Sequence, residues 1–274
     1  MGRTAAARLR VVVSERATAS GRGARAARAV GARAEDISDR DAERILVVTA
    51  HPDDVDFGVA GSVATWTAAG IEVGYCVVTD GDAGGFDPDV PRADIAGIRR
   101  AEQLAAARVV GVEDVTFLGY PDGRLVAGIG LRRDISRVIR RFRPDRVVTQ
   151  SPDRNWERIY ASHPDHLAAG EAAVCAVYPD ARNPFAHPEL AAEGLDAHTV
   201  GQLWLMSSRT HDVFVDVTDT FDKKLDALRC HVSPLVDTDG GLEERIRGWL
   251  TLNASAAGFP EGHLAEAFHA VDTR

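Results

Sequence analysis

Residues 44–54 read Arg-Ile-Leu-Val-Val-Thr-Ala-His-Pro-Asp-Asp. The first half is an aliphatic, β-branched run without polar alternation, the pattern of a strand buried on both faces of a parallel sheet. The second half is a stiff turn crowded with groups that titrate or bind metals. In open α/β sheets, ligands bind beyond the carboxyl ends of the strands, so this turn lies where chemistry is expected.

Working outward, strand-like and helix-like segments alternate. Residues 72–79 (Glu-Val-Gly-Tyr-Cys-Val-Val-Thr) are a second strand, and the small-residue stretch 58–70 between the two ends on a glycine, as helices often do. Residues 93–110 place Ile95, Ile98, Leu104, Ala105 and Val109 among arginines and close on Gly111, which predicts an amphipathic helix. Strands follow at 115–118, 145–150, 202–206 and 213–217, with helices at 131–142, 163–177, 219–230 and 242–252. This rhythm predicts βαβ units with right-handed crossovers. The expected fold is one three-layer αβα domain with a mostly parallel, Rossmann-like sheet over residues 41–274.

Residues 1–40 are different. Residues 1–34 hold eight arginines and one acid, Glu15, for a net charge of +7, which leaves −16 of the total −9 on the rest of the chain. They carry too little apolar surface to offset the entropy of ordering, so they are read as a disordered basic extension. The cluster Leu9 to Val13 is too short for a signal peptide. An acidic body argues against nucleic acid as a partner, since phosphate recognition needs clustered Lys and Arg. No run approaches the roughly 20 apolar residues of a membrane span. Three scattered cysteines, Cys76, Cys175 and Cys230, form no C-x-x-C and suit a reducing cytoplasm.

The residues that carry chemistry sit after the predicted strands: His51-Pro-Asp-Asp54, Asp80-Gly-Asp-Ala-Gly-Gly85, Gly119-Tyr-Pro-Asp-Gly-Arg124, and Ser151-Pro-Asp-Arg-Asn-Trp156 leading to His163-Pro-Asp-His166. A catalytic zinc takes three protein ligands, from imidazole nitrogen and carboxylate oxygen, and leaves a position for water. His51 and Asp54 are spaced to face one ion, and a third ligand from the His163–His166 element would close the site. Asp165 suits either a carboxylate that orients a histidine or a helix cap.

The pair of motifs H-P-D-D (51–54) and H-P-D-H (163–166) resembles the PIG-L/LmbE-like deacetylase family, over roughly residues 44–230. The resemblance implies one Zn2+ per chain held by His51, Asp54 and His166, with Asp53 as general base and His163 assisting at the oxyanion or leaving group. Arg99, in Arg99-Arg-Ala-Glu102, and Asp122, in Gly-Tyr-Pro-Asp-Gly, match the family's substrate-binding positions. The implied activity is hydrolysis of an N-acetyl amide on an amino sugar or related small metabolite. A zinc ion would lower the pKa of water to about 7 and polarise the amide carbonyl. The chain departs from many relatives at Val55, where they have glutamate, and at Thr79-Asp-Gly-Asp82.

Within hydrolases, amides of thiol conjugates are the alternative substrate. A non-haem Fe(II) oxygenase also uses two histidines and a carboxylate, but on an all-β scaffold and commonly as H-x-[DE]. A non-catalytic sugar-binding module would not need Asp53 beside the ion. A homo-oligomer is compatible with the sequence. His187, His198, His211, His231, His263 and His269 lack ligand spacing and are read as surface or hydrogen-bonded polar groups. The loop 81–85 is read as a flexible active-site loop, since it lacks the G-K-[ST] of a phosphate loop. Trp156 is a candidate sugar-stacking platform, Tyr160 lies near the second motif, and Lys223-Lys224 is read as a solvated helix face.

Overall fold

The computed structural model describes residues 11–13, 42–84, 89–233 and 241–274. Eight strands form one sheet: β1 (Val11–Val13), β2 (Arg44–Thr49), β3 (Glu72–Thr79), β4 (Asp114–Tyr120), β5 (Arg146–Gln150), β6 (Gln202–Met206), β7 (Val213–Asp216) and β8 (Ala265–Asp272). Their order is β1-β7-β8-β6-β5-β2-β3-β4. From β4 to β6 every pairing is parallel; β8, β7 and β1 then add antiparallel strands.

The helices are α1 (Asp54–Gly58), α2 (Ala60–Ala68), α3 (Arg92–Val109), α4 (Ile129–Phe142), α5 (Pro164–Cys175), α6 (Pro188–Ala192), α7 (Phe221–Arg229) and α8 (Leu242–Ala256). The period-two pleat of β2 sorts them into two layers. Ile45 and Val47 pack into a core with residues of α1, α2, α3, α7 and α8, while Leu46 and Val48 pack with α4 and α5 on the opposite face. Burial on both faces explains why β2 has no polar alternation.

Three expectations need correction. The helix expected at 58–70 starts earlier and is two helices, with Asp54 as the first helical residue. Strand β8 has no counterpart in the sequence reading: its three alanines, Glu266 and Asp272 make a poor strand signal, and pairing with both β6 and β7 overrides it. Val11–Val13, inside the extension expected to be disordered, is an edge strand against β7. The rest of that extension lies outside the described residues.

Two features place the site. The chain turns to opposite sides of β2, toward β3 and β4 in one direction and β5 and β6 in the other, so the crevice between the carboxyl ends of β2 and β5 is the topological switch point. Across it, Gln150 Oε1 accepts the Ala50 amide at 3.0 Å. Helix α5 seats close to β5 because Gly170 faces it; a β-carbon there would collide with the Gln150 carbonyl. Among the described residues no helix is long and apolar enough to cross a membrane.

Candidate active site

The chain leaves β2 through Ala50 and buries His51, only 8% exposed. Asp53 then adopts a left-handed backbone at φ 91° and stands as the N-cap of α1. A non-glycine residue there costs on the order of 1–2 kcal/mol, which surrounding contacts must offset. They are present: the Asp53 amide donates to Gln103 Oε1 at 2.8 Å, its carbonyl accepts from Asp56 and Phe57, and Arg99 donates to its carboxylate at 2.8 Å.

Three donors predicted as ligands converge. His51 Nδ1 and His166 Nε2 are 3.3 Å apart, His51 Nδ1 lies 3.4 Å from Asp54 Oδ2, and His166 Nε2 lies 3.0 Å from Asp54 Oδ1. Ligand distances of about 2.0–2.2 Å imply tetrahedral donor separations of roughly 3.3–3.6 Å, so this set fits a zinc-sized ion with little movement. The protonation pattern points the same way. Burial alone would lower the His51 pKa, yet hydrogen bonds with Asp122, Asp165 and Asp54 push it up to about 12. Burial would raise Asp54, but the neighbouring imidazoles of His166 and His51 hold it well below the usual carboxylate range. The cage thus favours positive charge at its centre.

Behind His51, its other ring nitrogen faces two carboxylates. Nε2 lies 3.1 Å from Asp122 Oδ1 and 3.3 Å from Asp165 Oδ2. Asp165 is fully buried, and its two oxygens also accept the Gly123 and Leu125 amides at 2.7 and 3.1 Å. His51, Asp122 and Asp165 could group around an ion of their own. With both Asp165 oxygens already committed to backbone amides, the Nδ1 side is the better ion site. The carboxylate–histidine arrangement fixes the His51 tautomer so that Nδ1 is free to ligate. Of the two positions expected for Asp165, its carboxylate lies on His51, and the cap of α5 is His163, whose Nδ1 accepts the Asp165 amide at 3.2 Å.

That hydrogen bond makes Nδ1 of His163 an acceptor, which leaves Nε2 as the protonated nitrogen of the neutral ring. His163 is exposed, carries a ring nitrogen within 4.8 Å of those of His51 and His166, and has its pKa lowered by burial and by those two imidazoles. Asp53 moves the other way: burial and the adjacent Asp54 carboxylate raise it to about 7 against the pull of Arg99.

Two residues expected to bind substrate have partners within the protein. Arg99 is buried and donates to the Pro52 carbonyl and to Asp53, so it holds the Asp53 carboxylate in place. Asp122 backs His51 while its amide donates to Asp82 Oδ1 at 2.9 Å.

Sequence reasoning missed the supports beneath α1. Gln103 Nε2 donates to Asp56 Oδ2 at 2.9 Å, and the same oxygen contacts His231 Nε2 at 2.7 Å, all three residues being fully buried. Lys224, expected on a solvated face, is 1% exposed and donates to the Asp56 and Phe57 carbonyls and to Glu266 Oε1 at 2.7 Å. Glu266 in turn accepts the Gly61 and Ser62 amides. The clue was available: a lysine beside Leu225 and Leu228 at helical spacing sits on the core face of α7. Trp156 is exposed and Tyr160 accepts from Arg158 Nε. Gly85, the last residue of the loop read as flexible, lies outside the described residues.

Residues 46–177 match the model of the PIG-L family, GlcNAc-PI de-N-acetylase. Over 193 residues the chain is 33% identical to diacetylchitobiose deacetylase of Thermococcus kodakarensis, covering 70% of each protein. The chain belongs to the PIG-L family. A further family relative, the probable N-acetyl-alpha-D-glucosaminyl L-malate deacetylase 2 of Bacillus anthracis, is 29% identical over 201 residues, 71% of this chain and 82% of that protein. The solved N,N'-diacetylchitobiose deacetylase of Pyrococcus horikoshii superposes with a TM-score of 0.78 at 28% identity, covering 85% of both chains. Membership fits a site built on the two histidine-aspartate motifs, both of which fall inside the matched stretch.

Proposed function

We propose that the protein is a metal-dependent amidohydrolase that removes an N-acyl group, acetyl in the first instance, from an amino sugar or a related small metabolite. The observation that carries this is the convergence of His51, Asp54 and His166 on one ion-sized space with Asp53 adjacent, at the switch point of a PIG-L-family sheet. The relatives' names give N-acetylated sugars as the substrate class. The α/β scaffold disfavours the oxygenase alternative.

His51, Asp54 and His166 would hold a divalent ion, Zn2+ by the chemistry of the set. When bound, such an ion supplies a Lewis acid for the amide carbonyl and lowers the pKa of water. Asp53, held by Arg99 and with its carboxyl near neutrality, accepts the proton of the attacking water and returns it to the departing amine nitrogen. His163 donates from Nε2 to the developing oxyanion as the neutral tautomer that its Nδ1 bond selects. Asp165 and Asp122 keep His51 oriented.

Asp53→Asn tests the assignment. The expected result is a loss of about 100- to 10,000-fold in kcat with metal content and KM retained. Undiminished amine release would remove Asp53 from its role.

A further inference from the structure

The two flanks of the site differ in chemistry. On one, Asp53 and Asp122 abut the loop carrying Asp80 and Asp82 and the arginines Arg92, Arg99 and Arg100. On the other, bordered by Asp54 and His166, a cavity of about 400 Å³ runs beneath α8. Its walls include Phe57, Met206, Ile246, Trp249 and Leu250, and Arg158 and Tyr160, bonded to each other, also line it.

The cavity's inner polar groups are already partnered. Lys224 and Glu266 pair with each other and with backbone groups of α1 and α2, Gln150 Oε1 holds the Ala50 amide, and Asn253 Nδ2 donates to the Ala265 carbonyl. Ser207 and His211 apart, what faces a ligand is therefore mainly hydrocarbon. An acetyl group fills roughly the volume of two or three waters, ~60–90 Å³, a small part of this space.

We infer that this cavity is an acyl subsite and that it takes a linear aliphatic acyl chain longer than acetyl. The inference rests on the hydrolytic reading given above. The departing nitrogen must come within reach of Asp53 to receive its proton. That places the amine portion on the polar flank and directs the acyl substituent to the opposite side of the carbonyl, where Asp54 and His166 border the cavity. Hydrolysis adds water across the amide: the C–N bond breaks, the water oxygen enters the carboxylate product, and the amine leaves with the proton.

Binding and turnover test it separately. Acetate, butyrate and hexanoate are titrated calorimetrically into the zinc-loaded protein, and initial rates are measured on N-acetyl-, N-butyryl- and N-hexanoylglucosamine. At about fourfold per buried methylene, hexanoate, with four more methylenes, binds about 250-fold more tightly than acetate, and kcat/KM rises in the same order. Leu250→Trp, which fills the cavity, and the gentler Ala267→Leu each cut the hexanoate-to-acetate binding ratio at least tenfold. Wild-type affinity that is flat or falls with chain length overturns the inference, whatever the variants do. A rising affinity series without amide cleavage of any substrate would sink the hydrolase reading and leave the subsite standing.

Discussion

Asp165→Asn isolates the support behind His51. The wild-type carboxylate accepts three donors: Leu125 N–H on Oδ1, and Gly123 N–H and His51 Nε2–H on Oδ2. An asparagine offers one oxygen and one NH2, so one side must confront a donor. With its oxygen kept toward Gly123 and His51, the NH2 opposes the buried Leu125 amide, and an unsatisfied buried group costs about 1–3 kcal/mol. At roughly 2–4 °C per kcal/mol for a domain of this size, the Tm falls by about 2–12 °C. His51 also loses a charged partner, and changes of this kind behind a metal-ligating histidine weaken metal binding by about 10- to 100-fold. Asp122 still contacts Nε2 at 3.1 Å, which keeps the effect toward the low end. Asp165→Asn combined with Asp122→Asn should then exceed the sum of the two single losses, because each carboxylate shields the other's removal. The assay is zinc competition against a chromophoric chelator, beside a thermal melt of the metal-free proteins. A lowered Tm with unchanged zinc affinity in both single and double variants would show that Asp165 only ties down the loop at Gly123–Leu125.

Other outcomes follow from the same geometry. His163→Ala should lower kcat by about 100- to 1000-fold with little change in zinc affinity, whereas His163→Gln, able to donate to the oxyanion, should recover part of it; equal loss in both would count against hydrogen-bond donation. Lys224→Met leaves the Glu266 carboxylate buried without its cation, at a cost of about 3–5 kcal/mol read by chemical denaturation, and Glu266→Gln on that background should restore part of the loss. Metal binding must expel the proton on His51 Nδ1, beside Asp54, while the Nε2 proton stays with Asp122 and Asp165. The His51 pKa is raised, so in the metal-free protein its protonation stabilises the fold fully below the unfolded pKa near 6.5 and the contribution fades as pH rises toward about 12. Because the neighbouring Asp54 raises the His166 pKa as well, zinc affinity should strengthen by at least about tenfold per pH unit between pH 6.5 and 8.5, and pH-independent affinity would contradict this protonation scheme.

Much of the architecture was legible because the chain is locally consistent. The aliphatic runs at 44–49, 72–79 and 202–206 read as strands and are strands, and the stops at Gly111 and Pro144 mark helix ends. Strand β8 was not legible, because its signal lies in pairing partners 50 to 70 residues away in the chain. At the site, the histidine-aspartate motifs named the residues that converge, since each motif is contiguous and follows a strand. The supports were hidden for the opposite reason. Gln103, Lys224, His231 and Glu266 come from four separate elements or loops and meet only around α1, so no local spacing links them. Arg99 illustrates the limit of a motif: the motif singles it out, but only the fold shows that Asp53 and Pro52 engage it.

The most direct test is amine release from N-acetylglucosamine and diacetylchitobiose, measured on protein whose metal content is counted before chelation, after chelation and after zinc is restored. The account predicts release by protein holding about one ion per chain, its loss on chelation and its return with zinc, all abolished in His166→Ala. Full-rate release by protein stripped of metal would contradict it.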